Sequence, residues 1–263
     1  MTKIGLGRGL IVVLLLVMAA AILPAREPGD LMLTIEPQIG IQRLNTRVLF
    51  SGVDVYNLSP DWNGGTGGAG ADFGLRGVVH YYFFPMLGVH AGLGISGFGS
   101  IVPVSMTADG VRVELNHNFY GVYATIPVGV RTGVSTFTAG AGLTLNFPIS
   151  SGASFSGSAR PTSGIGQTVT IPSADDSTFK AKTYLGYYLD LGFDLSRRPG
   201  RTGGFGMLGR FSGALGNQVA TSNWKPTTGY LGGNEISYAP FSFWAFSLVF
   251  QATMQLANIP MGR

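Results

Sequence analysis

Period-two alternation of apolar and polar residues runs through most of this chain. "FTAGAGLTLNF" shows it without a fault: Phe137, Ala139, Ala141, Leu143, Leu145 and Phe147 alternate with Thr138, Gly140, Gly142, Thr144 and Asn146. Such alternation predicts a β-strand with two unlike faces. Seven further segments share it: "LMLTIEPQIGIQ", "ADFGLRGVVHYYF", "GVHAGLGIS", "YGVYATIPVGV", "KTYLGYYLDLGFDL", "FGMLGRFSGAL" and "WAFSLVFQATMQ". Each spans about 9–14 residues, the length a tilted strand needs to cross a bilayer and longer than an ordinary strand.

The connections alternate too. Short turns are expected at 85–87, 131–136 and 196–204. Long loops rich in Gly, Ser, Thr, Asn, Asp and Pro are expected at about 43–70, 97–119, 148–181 and 216–243. Long and short in turn is the pattern of an outer-membrane barrel, with short turns in the periplasm and long loops outside. Residues 26–263 therefore read as one all-β domain: an eight-stranded antiparallel up-and-down transmembrane β-barrel, both termini periplasmic. Within the longest loop, "TVTIP" is placed to extend a hairpin above the membrane.

Composition supports a membrane solvent. Charged residues are 11% of the 263, against about 25% in ordinary globular chains, and mean hydropathy is +0.29. The net charge of +4 carries no basic run interleaved with aromatics, so nucleic acid is not an expected partner. With no cysteine there is neither a disulfide scaffold nor a thiolate metal site. The first 25 residues read as a secretory signal peptide. Lys3 and Arg8 precede an apolar run from Leu10 to about Leu23, and a cut falls after Ala21 or Ala25; the alternative is a retained single-span anchor.

Aromatics gather near the strand ends. Tyr81, Phe83, Phe137, Phe193 and Phe205 are expected at the periplasmic rim, and Phe73, Tyr120, Phe147, Phe243 and Trp244 at the outer rim. Two interfacial girdles are the reading.

In architecture the chain resembles the small eight-stranded outer-membrane barrels of the OmpA transmembrane domain, OmpX and OmpW types, over about residues 31–256. No family-specific motif matches. The resemblance implies lipid of a diderm bacterium's outer membrane as surroundings, and the barrel-assembly machinery as a partner during insertion. The aromatic strand end that this machinery reads is displaced here, since the last aromatic is Phe250 and a tail to Arg263 follows. An OmpW-like path for an apolar ligand along Tyr82, Tyr123, Tyr184 and Tyr188 is a further implication, with space-filling as the alternative.

The other strand faces point inward and carry a nearly balanced charge set: Glu36, Asp72, Asp190 and Asp194 against Arg76, Lys182 and Arg210, with His80 and His90. An eight-stranded barrel is just wide enough for side chains to fill. Either these groups form a plugging ion-pair network, or one pair breaks to let a small solute pass. The loops offer the other candidate activity, adhesion or binding of an extracellular host ligand. The chemistry calls for no cofactor and no metal. His117, Asp109 and Glu114 lie in one expected loop, but their spacing identifies no catalytic triad, and no enzyme is expected.

Overall fold

A computed structural model describes residues 27–46, 48–51, 68–108, 110–197, 202–221, 235–238 and 241–259. The expected signal peptide, residues 52–67 of the expected loop at 43–70 and the turn residues 198–201 lie outside them. The barrel strands are β1 (Asp30–Asn45), β2 (Gly68–Phe84), β3 (Leu87–Ala108), β4 (Val111–Val134), β5 (Phe137–Pro161), β6 (Tyr184–Asp194), β7 (Gly203–Leu215) and β8 (Ser242–Asn258). Each pairs antiparallel with its sequence neighbour. β1 also pairs with β8, which closes the ring.

The register sets the barrel's dimensions. Passing from pair to pair, Leu33 leads to Val79, Ala91, Val128, Leu143, Tyr187, Gly213 and Trp244, and back onto β1 at Arg43, a stagger of ten residues. At ~3.3 Å per residue and ~4.7 Å between strands, this tilts the strands by about 40° and gives a backbone radius of about 8 Å. Each residue then advances roughly 2.5 Å along the axis.

On β1 the apolar odd positions run outward from Leu31 to Ile41, and Arg43 ends the run. Ten steps make a band about 25 Å tall, the height of an outer-membrane hydrocarbon layer. Around the ring Ile39, Leu75, Leu93, Val128, Leu189 and Phe250 are likewise exposed, while their polar neighbours Gln38, Arg76, Asp190 and Gln251 are buried. The rim aromatics Phe73, Tyr120, Phe137, Phe147, Phe193 and Phe205 are exposed; Tyr81, Phe83 and Trp244 are partly so. Phe243 departs from the expected girdle. It shares the parity of buried Ala245, faces the interior, and packs its ring on Phe98 at 5.7 Å and Tyr184 at 6.0 Å.

The expected long loops at 97–119 and 148–181 are largely strand. β3 and β4 stay paired as far as Ala108 and Val111, and β5 follows them to Pro161. Residues 169–175 fold back along β5, so the "TVTIP" segment does extend the sheet. The shorter pieces 48–51 with 235–238, and 180–181 with 219–221, pair above the barrel mouth. Turn chemistry explains the misreading: Gly, Ser and Pro in these stretches signal loops, yet most sit on a face where small polar side chains meet water.

Above the outer rim the faces exchange roles. On β4 the apolar positions change from even (Tyr120, Val122, Ala124, Ile126) to odd (Val113, Leu115, Phe119). The odd ones turn inward and the even ones outward, leaving Arg112, Glu114, Asn116 and Asn118 on the outer face. On β5 the apolar positions stay odd throughout, and a bulge makes the change instead. Tyr123 pairs with Pro148 and Val122 with Ser150, so Ile149 is the extra residue. Because the side-chain period is two, one inserted residue flips every later side chain. Phe147 faces out below the bulge; Ala153, Phe155 and Ala159 are buried above it.

Candidate functional site

The lumen has two storeys. The lower is polar and centres on four side chains from four strands: Glu36 (β1), Arg131 (β4), Asp190 (β6) and Arg210 (β7). Arg210 donates to both Asp190 oxygens, from Nε at 2.7 Å and Nη2 at 2.8 Å. It also donates to Glu36 Oε2 at 2.8 Å and to the Gln38 carbonyl at 3.0 Å. Arg131 reaches Glu36 Oε1 at 3.0 Å and Asp190 Oδ2 at 3.6 Å. Gln251 donates to Glu36 Oε1 at 2.6 Å. Two acids and two guanidiniums thus neutralise one another in a space closed to solvent, as buried ions must.

His80 touches this cluster through Arg131 Nη1 at 3.4 Å. His90 bonds the Tyr188 hydroxyl. The Tyr188 ring carries two guanidiniums, Arg210 at 5.1 Å and Arg76 at 5.8 Å from its centroid. Asp72 accepts from Ser247 at 2.5 Å and Gln38 at 3.0 Å. Asp194 sits apart, near the end of β6, where the backbone and hydroxyl of Ser196 donate to it. Lys182, expected inside, is exposed. The chain leaves the barrel wall there, and the Lys182 amide bonds Gln218 in the pairing above the mouth.

Arg131 was the member missed by sequence reasoning, which gave it to a turn. Its signal was present: Tyr123, Thr125, Pro127 and Gly129 face inward, and two more steps along the same face reach Arg131. Ser247 and Gln251 lie on the inward face of β8 in the same way.

The upper storey is apolar. Leu44, Phe98, Val102, Leu115, Phe119, Tyr123, Ala153, Phe155, Phe179, Tyr184 and Phe241 form one buried cluster across the outer mouth. Phe119, Phe179 and Phe241 interlock with centroids 5.2–5.7 Å apart. His117 is fully buried among them, stacked on Phe155 at 5.2 Å. Burial pushes its imidazole down to about 4, with the Asp176 carboxylate acting in the opposite sense. Glu114 points outward on the same strand and pairs with Arg112 at 2.9 Å and Arg160 at 3.1 Å. His117 and Glu114 therefore lie on opposite faces of the sheet, and Asp109 lies outside the described residues. Among the described residues, no group of three His, Cys, Asp or Glu side chains is placed to hold a metal ion.

Between the storeys lies a small polar cavity of about 20 Å³, bordered by Gln38, Asp72, Arg76, Ser96, Thr144, Asn146 and Tyr184 among others. It has room for about one water molecule.

No family model matches the chain, and no curated protein matches it. Solved outer-membrane barrels are similar in fold. Ail, the attachment invasion locus protein of Yersinia pestis, is 14% identical over 82% of this chain and 97% of its own, with a TM-score of 0.28. The outer membrane protein OprG of Pseudomonas aeruginosa is 14% identical over 88% and 99%, with a TM-score of 0.36. The outer membrane protease OmpT of Escherichia coli is 8% identical over 87% and 97%, with a TM-score of 0.34. What this chain shares with them is the architecture of a closed antiparallel barrel.

Proposed function

We propose that the chain is an integral outer-membrane protein whose sealed barrel holds a β-sheet platform above the membrane for contact with extracellular ligands. The exchange of faces at the outer rim carries this reading. Below Tyr120 the outer faces of β4 and β5 are apolar and suit lipid; above it their outer faces are polar and their inner faces are packed. From Tyr120 to the end of β4 at Val111 is nine residues, about 30 Å of strand standing in water. Asn116, Asn118, Ser154 and Ser156 are paired across β4 and β5 and give this sheet an outer face rich in amides and hydroxyls.

Two measurements test it. The mature protein is expected to need detergent or lipid to stay monodisperse; a soluble monomer in plain buffer overturns the membrane reading. Cells displaying the protein are expected to bind extracellular-matrix components more than cells without it. Replacing Asn116, Asn118, Ser154 and Ser156 by glutamate removes the difference; attachment unchanged by the four substitutions counts against the platform.

The cavity beside Arg76 favours a second reading, restricted passage of a small solute. Passage requires the Glu36–Arg131–Asp190–Arg210 cluster to re-pair and the aromatic storey to part. Current steps in planar bilayers that change with Arg76→Met support it; a silent membrane refutes it.

A further inference from the structure

Along the eight barrel strands, from the periplasmic end up to the outer rim, the outward positions carry one charged side chain among the described residues, Arg43. It is exposed, and it makes no hydrogen bond, ion pair or ring contact with another described residue. Every other arginine described in the barrel wall below the rim is buried in the lumen. A lone cation on an otherwise uncharged lipid face calls for a partner outside the chain.

Arg43 stands opposite Trp244 in the β1–β8 register, and the same row continues through Gly213 to Tyr187. A side chain at Gly213 would collide with the Tyr187 ring, so that ring lies across the β6–β7 pair. Phe211 completes the group, with its centroid 6.1 Å from Tyr187 and 6.1 Å from Trp244. The three rings form one aromatic shelf on the outside of the wall. The stagger lowers the row by about 3 Å per strand on moving away from Arg43. Trp244 therefore lies about 3 Å below Arg43 along the axis, Tyr187 about 9 Å, and Phe211 about 11 Å. The guanidinium is at headgroup height, at the top of the apolar band, and the rings cover the start of the hydrocarbon beneath it. Elsewhere on the outer rim, Phe73, Tyr120 and Phe147 stand among uncharged neighbours in their registers.

We infer that this strip of β6, β7, β8 and β1 docks one phosphate-bearing lipid of the outer leaflet. Arg43 donates its guanidinium fork to the phosphate. The Trp244 indole takes the junction of headgroup and chain, and Phe211 and Tyr187 pack against the first methylenes. A zwitterionic headgroup brings its own cation to the same place, so the site favours a lipid with net negative charge. The inference rests on the reading of the chain as an integral membrane protein, and adds a headgroup preference that this reading does not require.

The test is native mass spectrometry of the full mature barrel, released from micelles doped with equal amounts of phosphatidylglycerol and phosphatidylcholine of matched chains. The expected result is one phosphatidylglycerol retained per barrel, about fivefold in excess over phosphatidylcholine. Arg43→Gln should bring the ratio near one, and Arg43→Lys should keep part of it. Lys180→Gln removes an exposed cation above the mouth and should leave the ratio unchanged. Trp244→Leu should lower retention of both lipids. Equal retention of the two lipids by the native protein overturns the inference. So does a preference that survives Arg43→Gln, or one that falls equally with Lys180→Gln. A barrel that needs detergent yet shows no headgroup preference refutes this inference alone; a barrel soluble in plain buffer refutes the membrane reading beneath it.

Discussion

Replacing Arg210 by methionine removes the most connected cation of the lumen and leaves two carboxylates facing one guanidinium. In the native cluster Arg210 makes two bonds to Asp190, one to Glu36 and one to Gln38, all between 2.7 and 3.0 Å. The substitution leaves Arg131 alone, at 3.0 Å from Glu36 and 3.6 Å from Asp190. Side-chain exposure here is 1–2%, so water does not screen the excess charge. Breaking a buried pair in this way costs about 3–5 kcal/mol. The exposed pair of Glu114 with Arg160 is a control made of the same chemistry. Its side chains are 43% and 52% exposed, and removing it with Glu114→Ala costs about 0–1 kcal/mol. A second control restores neutrality: in Arg210→Met/Asp190→Asn one acid and one base remain, and stability should recover partly toward native. The assay is urea unfolding of the folded barrel in micelles, followed by tryptophan fluorescence and by the shift in gel mobility on heating. Arg210→Met costing less than about 1 kcal/mol, or the double variant proving weaker than the single, would refute the argument that burial, rather than bond count, sets the energy.

Three further outcomes follow from the geometry. Deleting Ile149 removes the bulge and turns Ala153, Phe155 and Ala159 outward, so folding yield by heat-shift gel should collapse, whereas Ile149→Ala keeps the register and should fold. In Gly142→Ala the new methyl meets the Tyr188 hydroxyl and the Val128 carbonyl at well under contact distance, and unfolding should show a loss of about 1–3 kcal/mol; Gly140→Ala, whose nearest neighbour is at 3.3 Å, should lose less. His117 is neutral in the folded state at neutral pH and is held below its ordinary 6.5, so the unfolded chain takes the proton first. Stability contributed here is complete above about pH 6.5 and falls, by up to about 1.4 kcal/mol per pH unit, as pH drops toward about 4. Limited proteolysis of the segment 176–179 at stepped pH measures it; a His117→Phe variant with the same acid sensitivity excludes this histidine as the cause.

Much of the barrel was legible residue by residue. Leu31 to Ile41 alternate with Thr34, Glu36 and Gln38, and the lipid-facing and lumen-facing sets follow from that parity alone. Glu36, Asp190 and Arg210 were legible as inward for the same reason. Arg131 was not, because a charge near a strand end reads as the start of a turn. Lys182 was misplaced because parity holds only while the chain stays in the wall, and here it leaves it. Phe243 was misplaced because an aromatic near the rim suits either face; the parity it shares with Ala245 decides the matter. The tall strands of the platform were read as loops because Ser and Gly serve equally in turns and on a wet sheet face.

Sequence by itself determined the number of crossings and which face of each strand is apolar, because each is local or follows from a period of two. Tertiary structure decided which charges meet. The stagger of ten residues brings Glu36 level with side chains from strands far away in the chain, and no local pattern encodes that register. It also decided where the outer face changes from lipid to water. On β4 the change is written in the sequence, but on β5 it depends on one unpaired residue, Ile149, which only the paired neighbour reveals.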